Sequence, residues 1–319
     1  MNKSDFTKAI QQVCSPLPGS TPKAVVYKLT VKKRFEGLSI IDFFNQAVPR
    51  STKELWITKV ESENLTVNGN SVTINYKVKA GDLTQHSSAP KTEPDINTNI
   101  QLISEDDSIM VINKPSPLPM HASGRYARNT LLNILTLAFP KKDLKLLHRI
   151  DANTTGLVVL AKGKEVANNV RIQFEEKTIQ KEYLALVEGI VMDDELNSDF
   201  AIGTEVLVGG ARKVDDSGKN AKTNITVLER RTTKNQTLLS VIPLTGRTNQ
   251  IRLHLTELGY PIVGDEGHKN PDYFKNNPFT YPTDSLFLHA HKLTFKHPKS
   301  GKEISFEAPI PSKFFPDEA

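Results

Sequence analysis

The stretch LLHRIDANTTGLVVLAK (146–162) holds the residues best placed for chemistry. Asp151 follows His148 and Arg149, precedes small and hydroxyl residues, and is succeeded by Gly156 and an apolar run. That order predicts a carboxylate in a loop at the edge of a core, with a buried strand leaving it. An ionised carboxylate there serves as nucleophile or as general base. An aspartate in a Thr-rich turn is also a common turn-former or cap, so the residue alone does not decide its role. Two other chemistries are less well supplied. His289 and His291 share one face of a strand pattern, with His254, His268 and His297 scattered around them, but no Cys or carboxylate joins them at a familiar ligand spacing. A glycosidase-like site needs a second carboxylate, and no Asp or Glu is marked by a motif beside Asp151.

The elements that must position Asp151 are mostly strands. IMVINKP (109–115) reads as a strand ending at a proline turn, and GLVVLAK (156–162) as a buried one. Val166, Val170 and Phe174 fall on one helical face, and strand patterns recur at 183–188, 224–229, 237–243 and 286–295. Short strands that outnumber helices and follow one another directly predict an α+β domain with a largely antiparallel or mixed central sheet flanked by helices and loops.

Residues 80–99 are polar and aperiodic with two prolines, and read as a linker. Upstream, Leu38, Ile41, Phe44 and Val48 have helical spacing and end at Pro49. A second helix is predicted from Ser51 as N-cap with Glu54 in capping-box position, and Asn68-Gly69 marks a hairpin. Two short helices, a VNG turn and a late Gly81-Asp82 resemble the S4 RNA-binding domain over residues 34–86, with Arg50, Lys53 and Lys59 as its basic helical residues. The expected division is an extension over 1–33, a small α/β S4-like domain over 34–90 and a catalytic domain over 91–319.

The 319 residues are 38% hydrophobic and 24% charged, as in an ordinary soluble globular protein. No apolar run approaches a membrane span and the start lacks the apolar core of a signal peptide, so no membrane partner and a cytoplasmic location are expected. The single cysteine, Cys14, has no partner for an intramolecular disulfide. Of the net charge of +5, +4 falls in residues 1–96, which hold 13 basic and 9 acidic residues, making that part the better candidate for a phosphate-facing surface.

HRIDANTTG resembles the HRLD-x-x-T-S-G signature of the RluA family of pseudouridine synthases, with Ile150 for Leu and Thr155 for Ser. Further segments match that family in the same order. INKPSPLPMH (112–121) is similar to its N-K-P segment, with Pro117 for the usual Gly, and KEYLALVEG (181–189) to its K-x-Y segment. TGRTNQIRLHL (245–255) resembles its G-R-T-H-Q-I-R segment, and GYPIVGD (259–265) and FLHAHKLTFKHP (287–298) the pieces that follow. The resemblance covers roughly residues 100–310. It implies isomerisation of uridine in structured ribosomal or transfer RNA, with no metal or organic cofactor, by a protein expected to be a monomer. Asp151 would be the catalytic carboxylate, Arg252 the cation holding it ionised, and Tyr183 the ring stacked on a flipped base. Arg149 would fill the gap left by the flipped nucleotide. His148, Lys114 and Arg247 complete the RNA-binding set and line the site or support its loop. Asn249 stands where the family commonly has His, which implies a side chain that orients a neighbour. From the same division, a chain beginning near Asp95 is expected to fold and keep a working site.

Overall fold

The computed structural model describes residues 1–49, 51–207, 211–269 and 286–315. Arg50, one of the three basic residues named on the small helical face, lies outside them.

Helix α1 (Lys3–Cys14) opens the chain, capped by Asn2, whose side chain accepts from the Asp5 N–H at 2.8 Å. Two compact units follow from the packing: Gly19–Glu93, and Met1–Pro18 together with Pro94–Ala319. This differs from the expected division at both ends. Residues 1–33 are not one extension, because Phe6 and Ile10 of α1 are buried in the larger core and the Phe6 ring stacks on Phe139 at 5.2 Å. The expected linker, 80–99, contains a strand, Leu83–Ser87.

The smaller unit runs β1 (Val26–Thr30), α2 (Ile40–Ala47), α3 (Lys53–Glu61), β2 (Leu65–Val67), β3 (Asn70–Ser71) and β4 (Leu83–Ser87), with sheet order β1-β4-β2-β3. Ser39 caps α2. Thr52, not Ser51, caps α3, because it is Thr52 that takes the extended backbone and accepts from the Leu55 N–H. Phe43, Phe44 and Trp56 fill the core, with Phe44 stacked on Trp56 at 4.3 Å. The predicted hairpin turn forms through positive φ at Asn68 and Gly69, which these two residue types tolerate. Asp82 ties that turn to the rest, accepting from the Asn68 amide at 2.8 Å and the Tyr76 hydroxyl at 2.9 Å.

The larger unit continues with β5 (Gln101–Glu105), β6 (Ile109–Lys114), α4 (Leu131–Ala138), β7 (Leu144–Leu146), β8 (Thr155–Lys162), α5 (Lys164–Glu175) and β9 (Gln180–Glu188). It ends with β10 (Glu195–Ser198), β11 (Thr223–Arg231), β12 (Gln236–Pro243), α6 (Gln250–Glu257), α7 (Glu266–Lys269), β13 (Leu288–Lys296) and β14 (Glu303–Glu307). Among the described residues these strands form one ten-stranded sheet, ordered β10-β11-β12-β9-β13-β8-β6-β5, with β14 on β13 and β7 on β8. The fold is therefore α+β with a mixed sheet, antiparallel everywhere except between β8 and β13. β8 reads as a continuous apolar run because both its faces are covered. Val158 and Leu160, with Met110 and Ile112 of β6, face α1 and α4, while Leu157 and Val159 face the opposite way toward Val170 of α5.

The parallel contact sets the position of the Asp151 loop. Thr155 pairs with His289 and Gly156 with Ala290. Gly156 has φ +115°, and a Cβ there would sit 2.2 Å from the Ala290 carbonyl oxygen. Only glycine permits this approach, so the loop preceding β8 is held against β13.

Candidate active site

Asp151 sits in the loop between β7 and β8, in a short turn closed by the Thr154 N–H on the Asp151 carbonyl at 3.1 Å. Two groups, one buried and one half-buried, hold this loop from behind. Lys114, at the end of β6, is 0% exposed, and its Nζ donates to the carbonyls of Pro115 and Leu118 at 2.9 Å and of Ala152 at 3.0 Å. Burial pushes its pKa down to about 7, against an opposing pull from Asp151. His148 accepts the Val159 N–H on Nε2 at 3.1 Å and stacks on Phe174 at 5.3 Å. Burial and the charge of Lys181 push its pKa down to about 4, so the ring is neutral at pH 7.

From the other side, α6 brings two donors to one oxygen. Asp151 Oδ2 accepts from Arg252 Nη1 at 2.9 Å and from the Asn249 amide at 2.8 Å, while Oδ1 has no hydrogen-bond partner among the described residues. Asn249 precedes α6 with φ +57°, a left-handed conformation that asparagine tolerates better than most residues. The loop before it is fixed by Gln250, which is buried, accepts from the Thr245 hydroxyl and the Arg247 N–H, and donates to the Lys222 carbonyl and the Thr223 hydroxyl.

Arg252 reaches Asp151 with one nitrogen because its other two are taken. Nε and Nη2 each donate at 2.7 Å to the two oxygens of Asp265, a bidentate fork, and His268 Nδ1 lies 3.1 Å from the same carboxylate. Burial works against the charge on both members. Their mutual attraction outweighs it, so Asp265 is held well below the usual carboxylate range and Arg252 above its ordinary value, with Asp151 adding to the latter. The guanidinium is thus anchored by one carboxylate and offered to a second.

These groups line a cleft of about 500 Å³, a volume suited to a small ligand or a single nucleotide. Tyr183, on β9, forms part of its wall; burial, then Asp151, raises the phenol pKa, so its hydroxyl stays protonated. Arg149 is exposed at the cleft, with Nη1 3.2 Å from His121 Nε2, and Arg247 lines it while donating from Nε to the Asn220 carbonyl at 3.1 Å.

Asp151, Arg252, Tyr183, Arg149, His148 and Arg247 therefore meet at one cleft. Two expectations need correction. Lys114, placed in the RNA-binding set, is wholly enclosed and donates to backbone carbonyls, which fits the loop-supporting role also expected of it and leaves no donor facing the cleft. His148 offers RNA no positive charge, because one ring nitrogen serves as acceptor inside the fold. Asp265 and Lys181 were missed, although both stand in segments already singled out, GYPIVGD and KEYLALVEG. Their place in those matched segments was the available signal. The five histidines considered for a metal are separately engaged: His289 with Thr155, His291 with the Ala308 carbonyl, His254 with Thr223 and Phe200, His268 with Asp265 and His297 with Asp106. Among the described residues no group of three or more His, Cys, Asp or Glu could hold a metal ion, and no helix is long and apolar enough to cross a membrane.

A ten-stranded mixed sheet carries a cleft in which Asp151 meets Arg252 beside Tyr183, and comparison with known proteins gives the class of enzyme. A family model described as RNA pseudouridylate synthase matches residues 108–257. Over 301 residues the chain is 34% identical to ribosomal large subunit pseudouridine synthase C of Buchnera aphidicola, spanning 88% of this chain and 93% of that protein. Ribosomal large subunit pseudouridine synthase D of Nitrosomonas europaea is 30% identical over 326 residues, 98% of this chain and 92% of its own. Among solved structures, human RNA pseudouridylate synthase domain containing 1 superposes with a TM-score of 0.54 at 26% identity, covering 68% of this chain and 86% of that one. The chain belongs to the RNA pseudouridylate synthase family: it is an isomerase that converts uridine to pseudouridine in RNA.

Proposed function

We propose that the substrate is large-subunit ribosomal RNA and that the target uridine is flipped out of its helix into the cleft, where Asp151 is the catalytic carboxylate. The observation that carries this reading is the asymmetry of Asp151. Oδ2 is fixed by Arg252 and Asn249, and Oδ1 is left free on a side chain 31% exposed in the cleft. A carboxylate so held is oriented and charged, with one oxygen ready either to attack C1′ or to remove the 2′ proton. Tyr183 offers a flat face for the uracil, which suits a base of any orientation because every base has a π face. Exposed Arg149 is suited to the place vacated by the base or to a nearby phosphate. The choice of ribosomal RNA follows the names of the bacterial relatives. The smaller unit, with its helix, helix and hairpin order, is read as an S4-like module that adds RNA affinity.

Asp151→Asn is nearly isosteric and lacks both reactivities. It is expected to leave folding and RNA affinity within about twofold and to reduce isomerisation to background, a loss comparable to removing other essential catalytic groups, on the order of 10⁴-fold or more. Tritium release or mass-resolved nucleoside analysis on an unmodified large-subunit ribosomal RNA transcript measures it. Activity above about 1% of the unmutated enzyme would remove Asp151 from the central role.

A further inference from the structure

Lys181 lies on β9 two residues before Tyr183, so both side chains leave the same face of the strand roughly 7 Å apart. Both line the cleft. Lys181 is half-buried, its Nζ has one long contact, 3.4 Å to the Thr245 carbonyl, and no carboxylate pairs with it among the described residues. The adjacent acidic residue is engaged elsewhere, since Glu182 accepts from the Ser240 hydroxyl. Burial pushes the lysine pKa below its ordinary value with no offsetting anion. The cleft it lines also holds His148, kept neutral partly by Lys181 itself, Tyr183, the carboxylates Asp151, Asp265 and Glu266, His121 and His268, and the cations Arg149, Arg247 and Arg252. Drying an ammonium without a counter-charge destabilises a fold.

We propose that Lys181 is the electrostatic partner of the detached uracil, holding the base as an anion while it turns between its two bonds to C1′. This rests on the site assignment above. When the C1′–N1 bond breaks, its electron pair stays with the base, and the charge spreads over N1, O2, O4 and C5. C5 then returns the pair to C1′, the C5 proton leaves and N1 takes one up, so composition is unchanged. Between those steps the base must rotate without escaping. Stacking on Tyr183 tolerates rotation. A lysine suits the same task because its ammonium is a point charge with three rotatable donors, whereas a guanidinium fork would fix one orientation. A phosphate is the other anion an RNA brings, but phosphates stay at the solvated backbone, which the exposed Arg149 serves; Lys181 stands beside Tyr183 instead.

The test uses full-length enzyme in excess over an unmodified large-subunit ribosomal RNA transcript, comparing Lys181→Met, Lys181→Arg and Asp151→Asn in single-turnover rate, affinity and salt dependence. Lys181→Met should slow the rate at saturation about 100-fold, the scale of losing one electrostatic stabiliser, with affinity and salt slope unchanged. Its melting temperature should stay level or rise, because an uncompensated charge has been removed. Lys181→Arg should recover part of the rate. The unmutated enzyme should lose rate as pH climbs through the lowered lysine pKa, and the arginine variant should keep its rate over that range. A rate within about threefold for Lys181→Met overturns the proposal, as does a loss confined to affinity with a salt slope shallower by about one, which marks a phosphate contact. If Asp151→Asn also turned over normally, the site assignment itself would fail; if only Lys181→Met did, Lys181 alone would be misassigned.

Discussion

Asp265 is the residue on which the geometry of Arg252 depends, and Asp265→Asn tests that dependence. The carboxylate makes two hydrogen bonds of 2.7 Å to the guanidinium, and its side chain is 1% exposed against 12% for Arg252. Hydrogen bonds to charged groups contribute about 1.5–3 kcal/mol each. Asparagine keeps one acceptor of the pair and loses the charge, so the expected cost is about 2–4 kcal/mol, a large share of the roughly 5–15 kcal/mol that holds a domain folded. Urea unfolding at pH 7 measures it. The pH dependence supplies the sign. Asp265 is held below its unfolded value, so its contribution is present above about pH 4 and is lost as pH falls toward the folded pKa. The gap between the two proteins should therefore shrink on acidification below about pH 4. With the fork loosened, Arg252 no longer presents Nη1 at a fixed place, and the single-turnover rate should fall by about 10- to 100-fold, the cost of a small misplacement. A stability difference below about 0.5 kcal/mol, or one independent of pH, together with full activity, would refute the view that Asp265 aims Arg252.

Gly156→Ala should fail to accumulate as folded protein or lose at least about 4 kcal/mol, because its Cβ would lie 2.2 Å from a backbone oxygen at a positive φ; a thermal melt within a few degrees of the unmutated protein would show that β8 and β13 can part without cost. Deleting residues 1–94, expected from sequence to leave a working domain, removes Phe6 and Ile10 from the larger core at about 1.5–3 kcal/mol each. Limited proteolysis and melting should show the shortened protein destabilised by several kcal/mol, and equal melting temperatures would restore the simpler division.

Strand positions were readable because burial on both faces leaves a plain mark: the runs at 109–114 and 155–162 could hardly be anything else. Asp151 was readable from its loop chemistry together with the family signature. Direction was not readable. Lys114 and Arg149 are both cations in matched segments, yet one ends among three carbonyls and the other in solvent, a difference set by the folded loop around Pro115–Leu118. Arg252 and Asp265 are thirteen residues apart and meet through the turn after α6, which no periodicity encodes. Helix α1 does not announce itself as core, because two buried residues, Phe6 and Ile10, in twelve give little apolar signal until their partner α4 is known. Edge strands such as β7 and β10, three and four residues long, are too short to announce themselves.

The interruption of the larger unit by residues 19–93 bears on how the chain is made. Helix α1 leaves the ribosome before the smaller unit, yet the residues it packs against in α4 begin at Leu131, so Phe6 and Ile10 wait for more than a hundred residues of synthesis before that side of their packing is complete. Meanwhile the smaller unit, complete by Glu93, has an apolar core of its own around Phe43, Phe44 and Trp56. Its entry and exit are already fastened together, the Glu93 N–H lying 2.9 Å from the Gly19 carbonyl and Lys23 bridging to Lys91. An element whose two ends touch behaves as a cassette: exchange or removal at that seam leaves the chain order of the host fold intact.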